Sequence, residues 1–502
     1  MTFGSLKARP VMASTSWTGS VDLYPVTQDT PERGRRPVLD KPTWAMLPQT
    51  RQRAMLSDAR YLYGQCPQVS GASLRVADYA VGWAWQPRYT GTDARWRGLA
   101  ETIINRWLDV CDVRGGQYNW RTGLRNACMA IDRDGDIFAV KTKDQVSGGP
   151  RIQWVTADRI GQPVAYQTAG QWAKVPNSPE TRDYAGMHCS CGIVFDEAMR
   201  PVAYNVMPYD GIGVSYTWNL IPAESVIWIH DPKHVDQVRG IPSVASAILS
   251  WYDLNETVTA EVIAAKINSS LAMIEKNETG RRDIGREAIG ASNLPTAGRT
   301  GILETKTFER GLIRYIKTGG AIEAHKNERP SNGWLALMEH LTRGAFLGMG
   351  LPYEFAWDSS KIGGAGVRSM VGQVQRMIEA RQHVLETPAR AALLYAVATY
   401  MDRGDLPFTA DWDKWEFSVP SLFSVDMGRD SQNRREDFAV GIRTLSGILA
   451  EESMSARQHL DERANDYLLA KEISDSKGVP MEWLLNPAKV QPQTEIVTAP
   501  AA

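Results

Sequence analysis

His188-Cys189-Ser190-Cys191 brings one imidazole and two thiols together, donor types that hold zinc. Their spacing does not suit that chemistry. A structural zinc knuckle takes two cysteines separated by two to four residues, and a second ligand pair spaced alike. Here a single serine separates the cysteines, and the later histidines stand alone. The segment is expected to be the start of a strand carrying ordinary thiols. His230 and His234 recur at i,i+4, which on a helix would set both imidazoles on one face. Asp231-Pro232 lies between them, and the residue before a proline is pushed out of the helical region. A loop following a strand is the expectation. Asp132-Arg133-Asp134-Gly135-Asp136 has the carboxylates of a calcium loop, but its glycine comes too early and position 143 is lysine where a closing glutamate is required. A tight turn between a helix and a strand accounts for it better.

The chain contains no Gly-Lys dipeptide, hence no P-loop, and neither Gly-x-Ser-x-Gly nor His-Glu-x-x-His. Seven scattered histidines name no nucleophile and base. The sequence therefore predicts no catalytic residue, no metal and no cofactor. The enzyme alternative is a metal-dependent hydrolase using His188, Cys189 and Cys191.

The elements follow from periodicity. Leu99, Ile103, Trp107 and Val110 recur at helical spacing between 95 and 113, and the pattern continues over 120–131. Short β-branched or aromatic runs at 152–155, 192–195, 203–206 and 226–230 predict strands, the middle two forming a hairpin across 196–201. Residues up to about 240 read as a mixed α+β unit. A long helix follows, with Pro242 in its first turn and Leu254, Val258, Val262, Ile263, Ile267 and Leu271 recurring at about 3.6 residues as far as about 276. Residues 279–330 are rich in glycine and turns. A second helix begins after Pro330, is capped by Ser331, aligns Trp334, Met338, Leu341 and Ala345, and stops at Gly348-Met349-Gly350-Leu351-Pro352. Residues 358–366 read as a flexible loop, followed by a third long helix from Val367 to about Met401, bent at Pro388 and closed by Gly404. Helices are expected at 432–450 and 453–474. The first 40 or so residues, broken by Pro10, Pro25, Pro31 and Pro37, read as an extended arm, and the stretch from 487 as a disordered tail.

Composition bounds the function. Lys and Arg total 56 against 57 Asp and Glu over 502 residues, giving a formal charge of −1 with 43% hydrophobic residues. That is an ordinary soluble globular balance. It argues against a protein that grips nucleic acid over its whole surface, because such affinity comes from many Lys/Arg–phosphate contacts. Residues 271–330 hold a local excess, eleven Lys and Arg against eight Asp and Glu. Five cysteines, odd and sparse, suit reduced thiols. The N-terminal residues lack a signal peptide's apolar stretch, and the longest apolar run, around 391–400, is far short of the roughly 20 residues that cross a bilayer. The expectation is a protein neither secreted by that route nor spanning a membrane.

Taken in order, several segments match a known pattern. Val226-Ile227-Trp228-Ile229-His230 precedes Gln237-Val238-Arg239-Gly240-Ile241-Pro242, which opens the first long helix. Gly348-Met349-Gly350-Leu351-Pro352-Tyr353-Glu354 follows the second helix. Asp134-Gly135-Asp136 stands before a strand, and Arg368 follows a glycine-rich loop. In this order and spacing, over roughly 60–470, the chain resembles the portal proteins of tailed bacteriophages, of the lambda-like family. It departs from the family at Gly364-Ala365-Gly366-Val367, where a Tyr-Ser-Ser-like run is common, and the N-terminal arm does not align.

The resemblance implies an α+β portal-type subunit with wing, stem helices, clip and crown, assembling into a ring of typically twelve copies. On it, residues 1–45 are a flexible arm, 46–244 the wing, 245–276 stem helix 1, 277–330 the clip and 331–350 stem helix 2. Residues 351–366 form the tunnel-loop region, 367–428 the long wing helix with following strands, 429–486 the crown and 487–502 a tail. The implied function is the channel for double-stranded DNA packaging and ejection, at one capsid vertex of the virion, after assembly in the host cytoplasm. Implied partners are further copies of the chain, the terminase large subunit, the major capsid or scaffold protein, a head–tail connector or adaptor, and sliding, non-specifically held double-stranded DNA, with no membrane. Lys361, Lys266, Lys276, Arg343 and Arg368 are the DNA-channel residues on this reading, and Arg281, Arg282 and Arg286 face the motor at the clip. Another component of the capsid vertex, or a monomeric binding module, is the non-enzymatic alternative.

Overall fold

The computed structural model describes residues 46–82, 85–116, 118–166, 172–207, 217–270, 332–357, 363–420, 427–451 and 456–481. The arm, the clip segment 277–330 and the tail therefore lie outside the described residues. What is described is mixed helix and sheet, as expected.

Two helices precede the first strand: α1 (Gln49–Gln65) and α2 (Pro67–Ala80), the latter with proline at its first position, where no N–H is needed. No helix was expected here. The buried face of α1 includes Gln49, Gln52 and Asp58, so polar side chains interrupt the apolar period that sequence reading relies on. Strand β1 (Gln86–Tyr89) leads to α3 (Ala94–Val110), whose first turn is capped by Asp93 accepting from the N–H groups of Arg95 and Trp96. The face it buries differs from expectation. Trp96, Ala100, Ile104, Trp107 and Leu108 point inward while Leu99 and Val110 are exposed. Two tryptophans carry more apolar area than the aliphatic stripe beside them and decide the orientation.

Helix α4 (Trp120–Arg133), capped by Asn119, turns directly into β2 (Asp136–Lys143), followed by β3 (Pro150–Thr156). A meander of β4 (Ala173–Lys174), β5 (His188–Ser190), β6 (Ile193–Phe195), β7 (Pro201–Asn205) and β8 (Leu220–Pro222) forms a five-stranded antiparallel sheet. The expected β6–β7 hairpin is present, its turn closed by Asp196 and Arg200. Strand β9 (Val226–His230) pairs with β2, giving the order β3-β2-β9.

That three-stranded sheet is the middle layer. Ile137, Ala139, Ile227 and Ile229 point into the large helical core, while Phe138, Val140 and Val226 point into a second core against the five-stranded sheet. Burial on both faces is why β2 and β9 read as near-continuous apolar runs rather than alternating ones.

Pro242 stands before a 3₁₀ turn, Ser243–Ala247, rather than inside the long helix; α5 runs Ile248–Ser270. The returning helix α6 (Asn332–Gly348) closes in a Schellman turn: Leu351 N–H reaches Phe346 O, Gly350 N–H reaches Leu347 O, and Gly350 sits at φ +76°. A short α7 (Tyr353–Ala356) follows, and then α8 (Gly364–Asp402), with Pro388 inside it and Gly404 just past its end at φ +82°. The helix thus begins three residues earlier than Val367. Gly364 and Gly366, poor helix formers read as loop, lie in its first turn. Strand β10 (Trp415–Ser418) returns to pair with β1. The single helix expected at 432–450 is two, α9 (Met427–Val440) and α10 (Leu445–Glu451), parted where Gly441 turns at φ +81°. Helix α11 (Ala456–Lys477) completes the described chain, within which no helix is long and apolar enough to cross a membrane.

Candidate functional site

The turn between α4 and β2 carries three alternate aspartates, Asp132, Asp134 and Asp136, all buried. Buried carboxylates require partners. Asp136 accepts from Arg239, Nε at 2.7 Å and Nη2 at 2.9 Å, and from the Gly240 N–H at 2.8 Å. Arg239 is itself enclosed, and its other donors reach the carbonyls of Ala157, Ile160 and Cys191 at 2.8, 2.9 and 3.0 Å. Every N–H of that guanidinium is bound. Asp134 accepts both arms of Arg60, from α1, and both arms of Arg133. Burial pushes the Asp134 carboxyl up, but the Arg133 and Arg60 guanidinia outweigh it and hold it below the usual carboxylate range. Asp132 accepts from Ser73 of α2 at 2.9 Å, Ser243 at 2.8 Å and Arg381 of α8 at 2.7 Å.

One short turn therefore ties together α1, α2, α8 and the approach to α5. The expected tight turn is present, with each carboxylate taken up by protein donors. Gly135, at φ +85°, and Gly240 pack backbone against backbone, and a Cβ on either would enter the other's peptide. Only glycine permits that approach.

Above this turn stands the foot of the helix pair. Trp251 of α5 meets Phe346 of α6 edge-on at 5.1 Å, and Phe346 meets Tyr353 at 6.2 Å. Ser246 donates to the Gly348 carbonyl, and Gly348 lies against Ala247, where a larger residue would press the helices apart. Tyr252 stacks on Tyr61 at 5.9 Å, seating α5 on α1. Beyond Leu254 the apolar stripe of α5 is not covered among the described residues: Val258, Val262 and Ile263 are exposed, as are Leu335 and Leu337 on α6.

Of the residues singled out from sequence, Lys266 is exposed on α5 and Arg368 is exposed in the second turn of α8. Arg343 is engaged: it donates to Glu354 at 2.6 Å and Glu339 at 3.0 Å and lies over the Tyr353 ring at 4.5 Å. The Gly-Leu-Pro-Tyr-Glu segment thus serves to hold the end of α6. Lys276, Arg281, Arg282, Arg286 and Lys361 lie outside the described residues. His188 and Cys189 fall in β5 as expected, Cys189 entering one core and Cys191 turning toward the Leu47 carbonyl. Among the described residues no group of three or more His, Cys, Asp or Glu is placed to hold a metal. His230 ends β9 stacked on Trp228 at 3.6 Å, while His234 follows in the loop. All five cysteines are free and buried. Burial pushes Cys111 and Cys128 up to about 12.

Sequence reading missed Arg239, Arg60 and Arg381 as partners of the aspartates. Their contacts span 103, 74 and 249 residues, and no local spacing encodes them. The one available signal was an arginine set between Val238 and Ile241 in an otherwise apolar, glycine-bearing segment.

A sequence model described as phage portal protein, lambda family, matches residues 31–382. No curated protein matches the chain. Among solved structures, it is similar to one described as the virion of a native gene transfer agent particle, at 14% identity and TM-score 0.43, covering 82% of this chain and 94% of that one. A second, described as the neck of an empty particle of the same kind computed with C6 symmetry, matches at 14% identity and TM-score 0.42 with the same coverage.

Proposed function

The chain belongs to the lambda family of phage portal proteins, and from that premise we propose that it assembles as a ring, typically of twelve copies, forming the channel for double-stranded DNA at one capsid vertex of the virion. In this reading α5 and α6 are the stem pair, residues 277–330 between them the clip that docks the terminase motor and later a connector, and residues 358–362 the tunnel loop. The sheets with α1 to α4 and α8 form the wing, and α9 to α11 the crown.

The observation that carries the reading is the helix pair. Its foot is packed through Trp251 and Phe346, while Val258, Val262, Ile263, Leu335 and Leu337 remain exposed beyond it. Two helices running out and back with uncovered apolar residues are completed by neighbouring copies in a closed ring. Lys266, Arg368, Lys276 and Lys361 are the residues we assign to the DNA path. Arg343, bound by two carboxylates, offers less charge there. A near-neutral chain suits a conduit, since many simultaneous phosphate contacts would hold DNA rather than let it slide. No residue is assigned a catalytic role; the energy of packaging comes from the docked motor.

Mass photometry with negative-stain microscopy tests the assembly. Rings are the expected result, and monomers and small oligomers under every assembly condition would overturn the reading. Deleting residues 361–364 is expected to leave rings intact while lowering the yield of DNA-filled heads. Unchanged filling would remove the loop's role.

A further inference from the structure

Helix α11 spans 22 residues, yet of its described side chains Ala470 alone is buried, and the helix packs on α10. A helix in a protein gains most of its stability by covering an apolar face. This one leaves such a face open. Leu460, Ala464 and Tyr467 follow one another at four and three residues, so they form one line along the helix, with Lys471 at its end and Leu468 beside it. All of these are exposed.

The charges flanking that line are sorted by sign. On the edge next to Leu468 stand Asp461, Glu472 and Asp475; on the opposite edge, with Ala470 midway between them, stand Arg463 and Lys477. Glu462 and Asp466 lie on the far side of the helix from the line. The five edge residues are exposed, and among the described residues none of them makes an ion pair. Their register is informative. Arg463 comes two residues after Asp461 and Lys477 two residues after Asp475, a rise of about 3 Å in each case. Copies of a helix related by rotation about a ring axis stand at equal height, so both pairs come within reach of each other together. A contact between two different edges is heterologous, the kind that closes into a ring.

We propose that α11 of one copy lies parallel to α11 of the next, its acidic edge against the neighbour's basic edge. Asp461 then meets the partner's Arg463 and Asp475 the partner's Lys477, and the contact covers Leu460, Tyr467 and Leu468. The inference rests on the reading of the chain as a ring-forming subunit and names the contact that α11 contributes.

Charge reversal in the full-length protein, read by mass photometry at low salt, tests it. Asp461→Lys with Asp475→Lys turns the acidic edge basic on balance, and Arg463→Glu with Lys477→Glu turns the basic edge acidic. Each variant alone is expected to form about tenfold fewer rings than wild type, because like charges then face one another. An equimolar mixture is expected to return to within about twofold of wild type, with the two variants alternating around a ring of even number. Rings at the wild-type level from either variant alone, or a mixture no better than its components, would overturn the contact. A disulfide decides the matter without those variants. Oxidised rings carrying Asp461→Cys together with Arg463→Cys are expected to give a ladder of covalent multimers on non-reducing gels, and either single cysteine to give monomers. Rings of normal mass with no ladder would overturn the contact while leaving the portal reading in place. Wild-type protein that forms no rings would count against the portal reading itself.

Discussion

Arg239→Met is expected to lower the stability of the subunit by about 3–5 kcal/mol, the usual consequence of removing one partner from a buried pair. Asp136 is fully enclosed, and the carbonyls of Ala157, Ile160 and Cys191 lose their donor at the same time. The methionine fills most of the space but answers none of those acceptors. Arg239 also lies over the Phe138 ring at 5.4 Å, so its loss reaches the second core directly. Thermal unfolding followed by near-ultraviolet circular dichroism measures the effect. A loss under about 1 kcal/mol, the range of an exposed ion pair, would contradict the enclosed geometry. Arg239→Lys is expected to fall close behind, because a single ammonium cannot serve a carboxylate and three carbonyls arranged for a planar fork.

Phe346→Ala is the second large effect, about 3–5 kcal/mol for emptying an aromatic site in a packed core. The ring is fully buried between Trp251 and Tyr353, at the end of α6 where it packs on α5. Its neighbour provides the control. Leu347, 76% exposed, is expected to change subunit stability by no more than about 0.5 kcal/mol when replaced by alanine. Urea unfolding of the two variants and of wild type separates them, and mass photometry reports whether the loosened pair still enters the proposed ring. Equal losses for the two substitutions would show that burial at the foot is not what fixes the helix pair.

The parts legible in sequence are those whose signals are local. The β6–β7 hairpin, the run 226–230, the tight turn at Gly135 and the helix stop at Gly350 rest on alternation, turn chemistry and glycine, and each is found where it was expected. Three features were not legible, each for its own physical reason. Helix α1 buries glutamine and aspartate, so its apolar period is broken. The inward face of α3 is set by Trp96 and Trp107 rather than by the longer aliphatic series of Leu99 and Val110. All but one of the aspartate–arginine contacts join positions far apart in the chain, and the sequence around Asp132 presents the same letters whether a cation or four arginines neutralise it. The candidate DNA-facing lysines and arginines came from the family resemblance alone, since charge on a helix carries no mark of what it faces.

The five buried thiols bear on how this molecule can be handled. With Cys111 and Cys128 at about 12 and burial raising Cys66, Cys189 and Cys191 as well, reactive thiolate is scarce at neutral pH. The thiolate is the form that reacts. All five are also buried, so a maleimide is expected to react slowly with the folded subunit. An Arg368→Cys substitution would then be labelled or crosslinked in preference to the native cysteines, without first stripping these from the interior they occupy, and distances across the proposed ring could be read from that single position.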